Sequence, residues 1–341
     1  MITADFIGNN ELIFSLKRDA ASGKTPHAII LEGPYGSGKK TLAKYLAMLL
    51  ACESSPEVCS KCSACRKILA DNSPDVITIS PGDGKVQIGV DSVRFVRSDV
   101  YIKPNDNDHK VYIIESADKM THEAQNAFLK VLEEPPEYAV FILLCESSDA
   151  LLVTVKSRAT VYSTERFSSE TITKHLLEIS PDANKLHADS PDAFKLAVMS
   201  ANGSIGRALE NIEPLKAEQT HSLYMSCLEL VMMLRKRASA FDILNHLSSL
   251  EQNKVFIDSY LLMFESALFD VMNYKLSNNN VCSFFLDEAD LEYVAAALTN
   301  TFVLEVTELI ESCRYSLLSN VNLQTAITAL ASELYAMRSK F

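Results

Sequence analysis

Gly33-Pro34-Tyr35-Gly36-Ser37-Gly38-Lys39-Lys40-Thr41 follows the apolar run His27-Ala28-Ile29-Ile30-Leu31 and precedes the helical pattern Leu42-Ala43-Lys44-Tyr45-Leu46. Strand, glycine-rich turn and helix in that order are the setting a phosphate-binding loop requires. Glycines permit the tight turn, successive backbone N–H groups and the helix start cradle phosphate, and a lysine at position 39 reaches the outer phosphates. The expected nucleotide-binding residues are therefore Gly33, Gly36, Gly38, Lys39, Lys40 and Thr41; the alternative is a plain strand-to-helix turn. In such loops a Ser or Thr hydroxyl after the lysine holds magnesium, but this chain has Lys40, and Thr41 lies one step on, about 100° around the helix. ATP or ADP fits the expectation, then, while magnesium loses a ligand. The second ammonium either neutralises part of the bound phosphate charge or is a solvated side chain.

Short β-favouring runs at 27–31, 76–79, 111–114, 140–144 and 160–162 alternate with helical patterns through the first 165 residues. Such alternation predicts an α/β domain with a parallel, doubly wound sheet whose ligands sit at the carboxyl ends of the strands. The run Lys110-Val111-Tyr112-Ile113-Ile114 ends in Glu115-Ser116, where an ATP-hydrolysing loop protein carries a magnesium carboxylate and then a base. Glu115 is the candidate magnesium-directed carboxylate, its alternative being an acid at the sheet edge with no role. Ser116 is no general base, so hydrolysis is not expected.

Residues 166–212 hold helical patterns at 170–179, 192–201 and 204–212, which predict a small helical lid. From Leu215 to Phe341 there is neither glycine nor proline. A segment without turn-formers and with apolar residues at helical spacing is expected to be all-α, a bundle of about four or five helices over 213–341.

Cys52, Cys59, Cys62 and Cys65 lie between the loop's helix and the second strand, with two C-x2-C steps in succession. Four thiolates at this spacing close a tetrahedral structural zinc site and leave no open position for a catalytic water. Free buried thiols or a redox pair are the alternatives; Cys145, Cys227, Cys282 and Cys313 are isolated and read as core residues.

The net charge of -12 opposes a strong autonomous nucleic-acid surface, which needs clustered Lys and Arg. It tells against a stand-alone zinc-dependent nucleic-acid binder. No apolar run reaches the roughly 18 residues of a membrane helix, and the opening MITADFIGNNELIFSLKRD lacks the basic start and apolar core of a secretion leader. A cytoplasmic location with no membrane partner is expected.

Together the loop, the four-cysteine insert and three further stretches resemble the gamma/tau/delta-prime AAA+ family of DNA polymerase III clamp-loader subunits. The first stretch is Ala117-Asp118-Lys119-Met120 with Asn126-Ala127-Phe128-Leu129-Lys130-Val131-Leu132-Glu133-Glu134-Pro135-Pro136. It is similar to the family's helix after the Walker B strand, and proline also ends that helix on physical grounds. Ser157-Arg158-Ala159 resembles the segment from which these subunits project an arginine finger; the family's usual Cys is Ala159 here. Gly203-Ser204-Ile205-Gly206-Arg207-Ala208 resembles the sensor 2 motif, in which the residue at Arg207 reads phosphates. At the sensor 1 position Cys145-Glu146-Ser147-Ser148 stands where Thr or Asn is expected.

The resemblance implies an AAA+ domain over 1–165 with a zinc module at 52–65, a lid over 166–212 and a helical collar over 213–341. It further implies a non-hydrolysing, delta-prime-type stator, because the motor subunits keep both the loop hydroxyl and the Asp-Glu pair. Arg158 would act in trans on a neighbour's nucleotide. The implied partners are gamma or tau and delta, with the sliding clamp and primer-template DNA met through the complex. The rival reading is a working gamma/tau-like ATPase, with Glu115 on magnesium and Glu146 or a neighbouring subunit supplying the base.

Overall fold

In a computed structural model, which describes residues 8–55, 57–82, 87–251, 253–277, 282–318 and 321–340, all five β-favouring runs form strands. They are β1 (Ala28–Glu32), β2 (Val76–Ile79), β3 (Lys110–Ile114), β4 (Ala139–Cys145) and β5 (Thr160–Ser163). The sheet order is β2-β3-β4-β1-β5 and every pairing is parallel, with Ile30 opposite Leu143 and Val161 in the central register. Parallel neighbours need crossover helices, and the connections supply them. Residues 1–7, the start of the stretch read for a secretion leader, lie outside the described residues.

Because β1, β3 and β4 are buried on both faces, they read as continuous apolar runs rather than alternating ones. Alternate residues still divide between two cores. Ile30, Tyr112, Ile114, Phe141 and Leu143 pack beneath α4 (Val90–Asp99) and α5 (His122–Glu133), with Phe128 edge-on to Phe141. Ile29, Leu31, Val111, Ile113, Ile142 and Leu144 face the other way. They meet α1 (Asn10–Ala21), α2 (Lys39–Ala51) and α3 (Ser63–Leu69). α5 stops at Glu133, as Pro135 and Pro136 require, and the single turn α6 (Val153–Lys156) leads into β5.

The chain divides into two compact units, Met1–Phe167 with Ser204–Arg207, and Ser168–Gly203 with Ala208–Phe341. The second is helical among the described residues. It opens with α7 (Ser169–Ile179), α8 (Pro181–Asp189), α9 (Pro191–Met199) and α10 (Ile205–Asn211), the last beginning in the first unit. Then come α11 (Pro214–Lys236), α12 (Ala240–Ser249), α13 (Lys254–Ser277), α14 (Glu288–Ala295), α15 (Asn300–Leu318) and α16 (Leu323–Lys340). Six described helices from Pro214 onward exceed the four or five expected. The extra breaks use other chemistry than glycine or proline: Arg237 adopts a left-handed φ of 57°, and Ser239 caps α12 in a reciprocal capping box with Asp242. Tyr260, Phe264, Phe284, Phe302 and Leu334 anchor one continuous core. The buried Asp270 carboxylate accepts hydrogen bonds from the amides of Ser283, Phe284 and Phe285, fixing the approach to α14. No single described helix is long and apolar enough to cross a membrane.

Candidate functional site

The turn between β1 and α2 has the phosphate-loop form. Gly36 and Gly38 take left-handed φ values of 75° and 84°, which side-chain-bearing residues adopt only with strain, and Gly38 caps α2 so that the helix starts at Lys39. Lys39 Nζ donates to the carbonyl oxygens of Gly33 (2.6 Å) and Pro34 (2.8 Å), curling the loop around its ammonium. Burial lowers the pKa of that ammonium, and the nearby Glu146, Cys145 and Asp118 oppose the shift. Burial also pushes the Cys145 thiol, at the end of β4, up to about 12.

Two neighbouring segments hold the loop. Ser37 Oγ accepts from Thr164 Oγ1 at 2.9 Å, just after β5. On the other side, Ser204 Oγ donates to Tyr35 O at 2.8 Å and Gly206 N donates to Gly36 O at 3.0 Å. The lid boundaries expected from sequence enclose Ser204–Arg207, yet these contacts place that segment in the same compact unit as the loop. Arg207 stands one residue beyond the contact, half-buried, its amide donating to Ser204 Oγ.

Lys40 and Glu115 come together at the mouth of this turn, with Nζ 2.6 Å from Oε1. The contact is ionic rather than a directed hydrogen bond, and among the described residues no other donor reaches that otherwise buried oxygen. Ser116 follows with a left-handed φ of 55°, and the short turn Ala117–Lys119 then places Asp118, whose Oδ1 is buried without a hydrogen-bond partner among the described residues. Sequence reasoning misses Asp118 as a site residue. Its signal is an acid three positions beyond the strand-end carboxylate, one turn away. Thr41, the next residue of α2, is exposed.

Arg158 lies in the turn after α6, partly exposed. Its guanidinium is held by Glu133 (Nη2 to Oε1, 2.9 Å) and by the Thr154 carbonyl (Nη1, 3.0 Å). Glu133, the last residue of α5, is the other participant that sequence reasoning leaves unassigned.

The four cysteines converge. Their Sγ atoms all lie within 4.8 Å of one another, with those of Cys52 and Cys59 at 3.5 Å. Tetrahedral Zn–S bonds of about 2.3 Å set sulfur–sulfur separations of about 3.8 Å, so the donor set and its spacing fit a closed four-thiolate site. Amides point at the sulfurs as well: Cys59 N and Ser54 N donate to Cys52, Lys61 N and Cys62 N to Cys59, and Cys65 N to Cys62. The Lys61 and Cys62 amides hold the Cys59 thiol down at about 6, whereas burial pushes that of Cys65 up. Cys52 terminates α2 and Cys62 caps α3, so the knuckle ties two helix ends together.

Residues 8–168 match the family described as DNA polymerase III, delta subunit. Among curated proteins, DNA polymerase III subunit tau of Bacillus subtilis is 32% identical over 211 residues, 61% of this chain and 37% of that protein. Subunit gamma of Buchnera aphidicola is 32% identical over 211 residues, 61% of this chain and 57% of that protein. Subunit delta' of Yersinia pestis is 36% identical over 140 residues, 40% of this chain and 41% of that protein. The chain thus spans less than two thirds of the length of each of these relatives. A solved DNA polymerase III gamma subunit-related protein from Thermotoga maritima aligns with 96% of this chain and 99% of its own, at 20% identity and a TM-score of 0.41.

Proposed function

We propose that this chain, which belongs to the clamp-loader AAA+ family of DNA polymerase III, serves as its delta-prime-type subunit, a stator that loads the sliding clamp without hydrolysing ATP itself. The observation that carries this reading is the Lys40–Glu115 ion pair. Hydrolysis by a phosphate loop needs a magnesium ion held by a hydroxyl and a carboxylate, and a group that positions the attacking water. In this chain the hydroxyl position is a lysine, that lysine engages the carboxylate, and Ser116 replaces the base.

What the subunit contributes to catalysis is Arg158. An arginine presented to a neighbour's γ-phosphate stabilises the charge of the transition state, and the fork of the guanidinium suits phosphate oxygens as well as the carboxylate of Glu133. In this proposal Arg207 and the loop bind ATP or ADP, and the four cysteines hold structural zinc. The division into an AAA+ domain (1–165), a lid (166–212) and a collar (213–341) belongs to the same reading. The partners are gamma or tau, and delta; clamp and primer-template DNA are met through the assembly, in the cytoplasm.

ATP turnover measured with the purified chain alone, and again with a gamma-type partner, delta, clamp and primed DNA, tests the proposal. The expected result is no turnover alone and turnover in the mixture that depends on Arg158. Turnover by the isolated chain that is abolished by Lys39→Ala would make it a motor subunit instead.

A further inference from the structure

Magnesium does not fit this loop. The ion demands near-octahedral oxygen ligands at about 2.0–2.1 Å, and the residue after Lys39 brings an ammonium to the carboxylate that would receive it. Thr41, the nearest hydroxyl along α2, is turned away by about 100° per residue and is exposed. A dication entering beside Glu115 would have to expel Lys40 or lie against a like charge.

We propose that Lys40 is a built-in replacement for the ion, so that the loop takes a nucleoside di- or triphosphate free of divalent metal. The inference rests on the non-hydrolytic reading above and names the ligand form that such a site accepts. An ammonium carries three donors. One faces Glu115 Oε1 at 2.6 Å, and the side chain is 58% exposed, so the ammonium is accessible to a ligand. Lys39, with its donors on the Gly33 and Pro34 carbonyls, stands one residue earlier in the same helix start. A polyphosphate entering the curl exchanges those carbonyls for its own oxygens. It then meets two lysines and the amides of a left-handed glycine turn, a concentration of positive charge suited to ATP in its metal-free, more anionic form. One positive charge on a flexible stem replaces two on a rigidly ligated ion. It offers no coordination site at which a water is polarised, which agrees with a subunit that holds nucleotide and does not cleave it.

The test is calorimetric titration of the full chain with ATP, once in excess EDTA and once in excess magnesium, repeated with Lys40→Ser. The wild-type chain is expected to bind ATP in EDTA and about tenfold more weakly in magnesium, because the ion's charge opposes that of Lys40. Lys40→Ser restores a hydroxyl and releases Glu115, so its preference should reverse, with binding favoured by magnesium. Wild-type binding that requires magnesium, absence of ATP binding in both buffers, or a Lys40→Ser variant that keeps the wild-type preference would each overturn the inference. Absence of binding would also remove nucleotide binding from the proposed function but leave the non-hydrolysing stator role standing, since that role is overturned by turnover in the isolated chain. A circular-dichroism melt of each variant establishes that it is folded in both buffers.

Discussion

Gly206 donates its amide to the carbonyl of Gly36 at 3.0 Å, and neither backbone leaves room for a side chain on the other. A Cβ on Gly206 would fall 2.7 Å from Gly36 O and 2.8 Å from Gly36 Cα; one on Gly36 would fall 2.6 Å from Arg207 N. The phosphate loop and the start of α10 thereby meet main chain to main chain, with the Ser204 hydroxyl on the Tyr35 carbonyl as a second tie.

Substitution should therefore cost more at Gly36 than at Gly206. Gly206→Ala gains up to about 1 kcal/mol of helix propensity in α10, set against about 1–3 kcal/mol for forcing a methyl group into a filled contact. Gly36→Ala meets the same crowding and also puts a Cβ at a φ of 75°, a further 1–2 kcal/mol or so. Urea denaturation would give that order, and hydrogen exchange at the Gly206 amide should accelerate in both variants. Unchanged exchange would mean that the contact does not hold the loop.

Removal of one thiolate tests the cysteine knuckle. Cys62→Ser is expected to drop the zinc content from one ion per chain to none and, by loosening both α2 and α3, to lower the melting point of the first unit by about 5 °C or more. A wild-type protein that is fully folded and binds no zinc would refute the site.

Arg158→Ala should reduce ATP turnover of the assembled complex at the neighbouring site by about 10³-fold or more and leave the assembly intact on a sizing column. Glu133→Ala, by removing the carboxylate that engages the guanidinium at 2.9 Å, should leave turnover at or above the wild-type level. Equal turnover in Arg158→Ala and wild type would remove the finger assignment.

His246 makes the second unit sensitive to acid. Burial lowers its pKa, outweighing Glu229, and Nε2 shares a hydrogen bond with Tyr260 Oη at 3.1 Å. With the folded pKa below the unfolded value of about 6.5, the unfolded chain binds more protons as pH falls below about 6.5, so stability decreases there and is unaffected well above it. Thermal melts between neutral pH and mildly acidic pH should show this slope, and His246→Gln should flatten it. A slope retained in the variant would place the titration elsewhere.

The strands were legible because apolar runs such as Val140 to Leu144 are buried on both faces and bounded by turn residues. The loop was legible because its glycines are where a left-handed backbone needs them. In the second unit α8, absent from the sequence-based expectation, begins at Pro181 after the capping Ser180, and Pro191 likewise stands in the first turn of α9. The pairing of Arg158 with Glu133 and the burial of Asp118 Oδ1 depend on how separate segments approach in space. Local pattern has no access to such distances. Placement of Ser204–Arg207 beside the loop likewise comes from a contact between residues 36 and 206, not from the helical period around them.

Helix α2 carries the phosphate turn at one end, through Gly38, and the first metal-ligand candidate at the other, through Cys52. Its 13 residues span about 20 Å, so the helix sets an angular phase between its ends as well as a distance. Insertion of one residue would swing the cysteine end about 100° relative to the loop while lengthening the rod by only about 1.5 Å. Both ends regain their facing only when the change is close to a whole turn. Length variation in this helix is therefore quantised, and a shift of one or two residues disables the knuckle or the loop even if every side chain named above is retained.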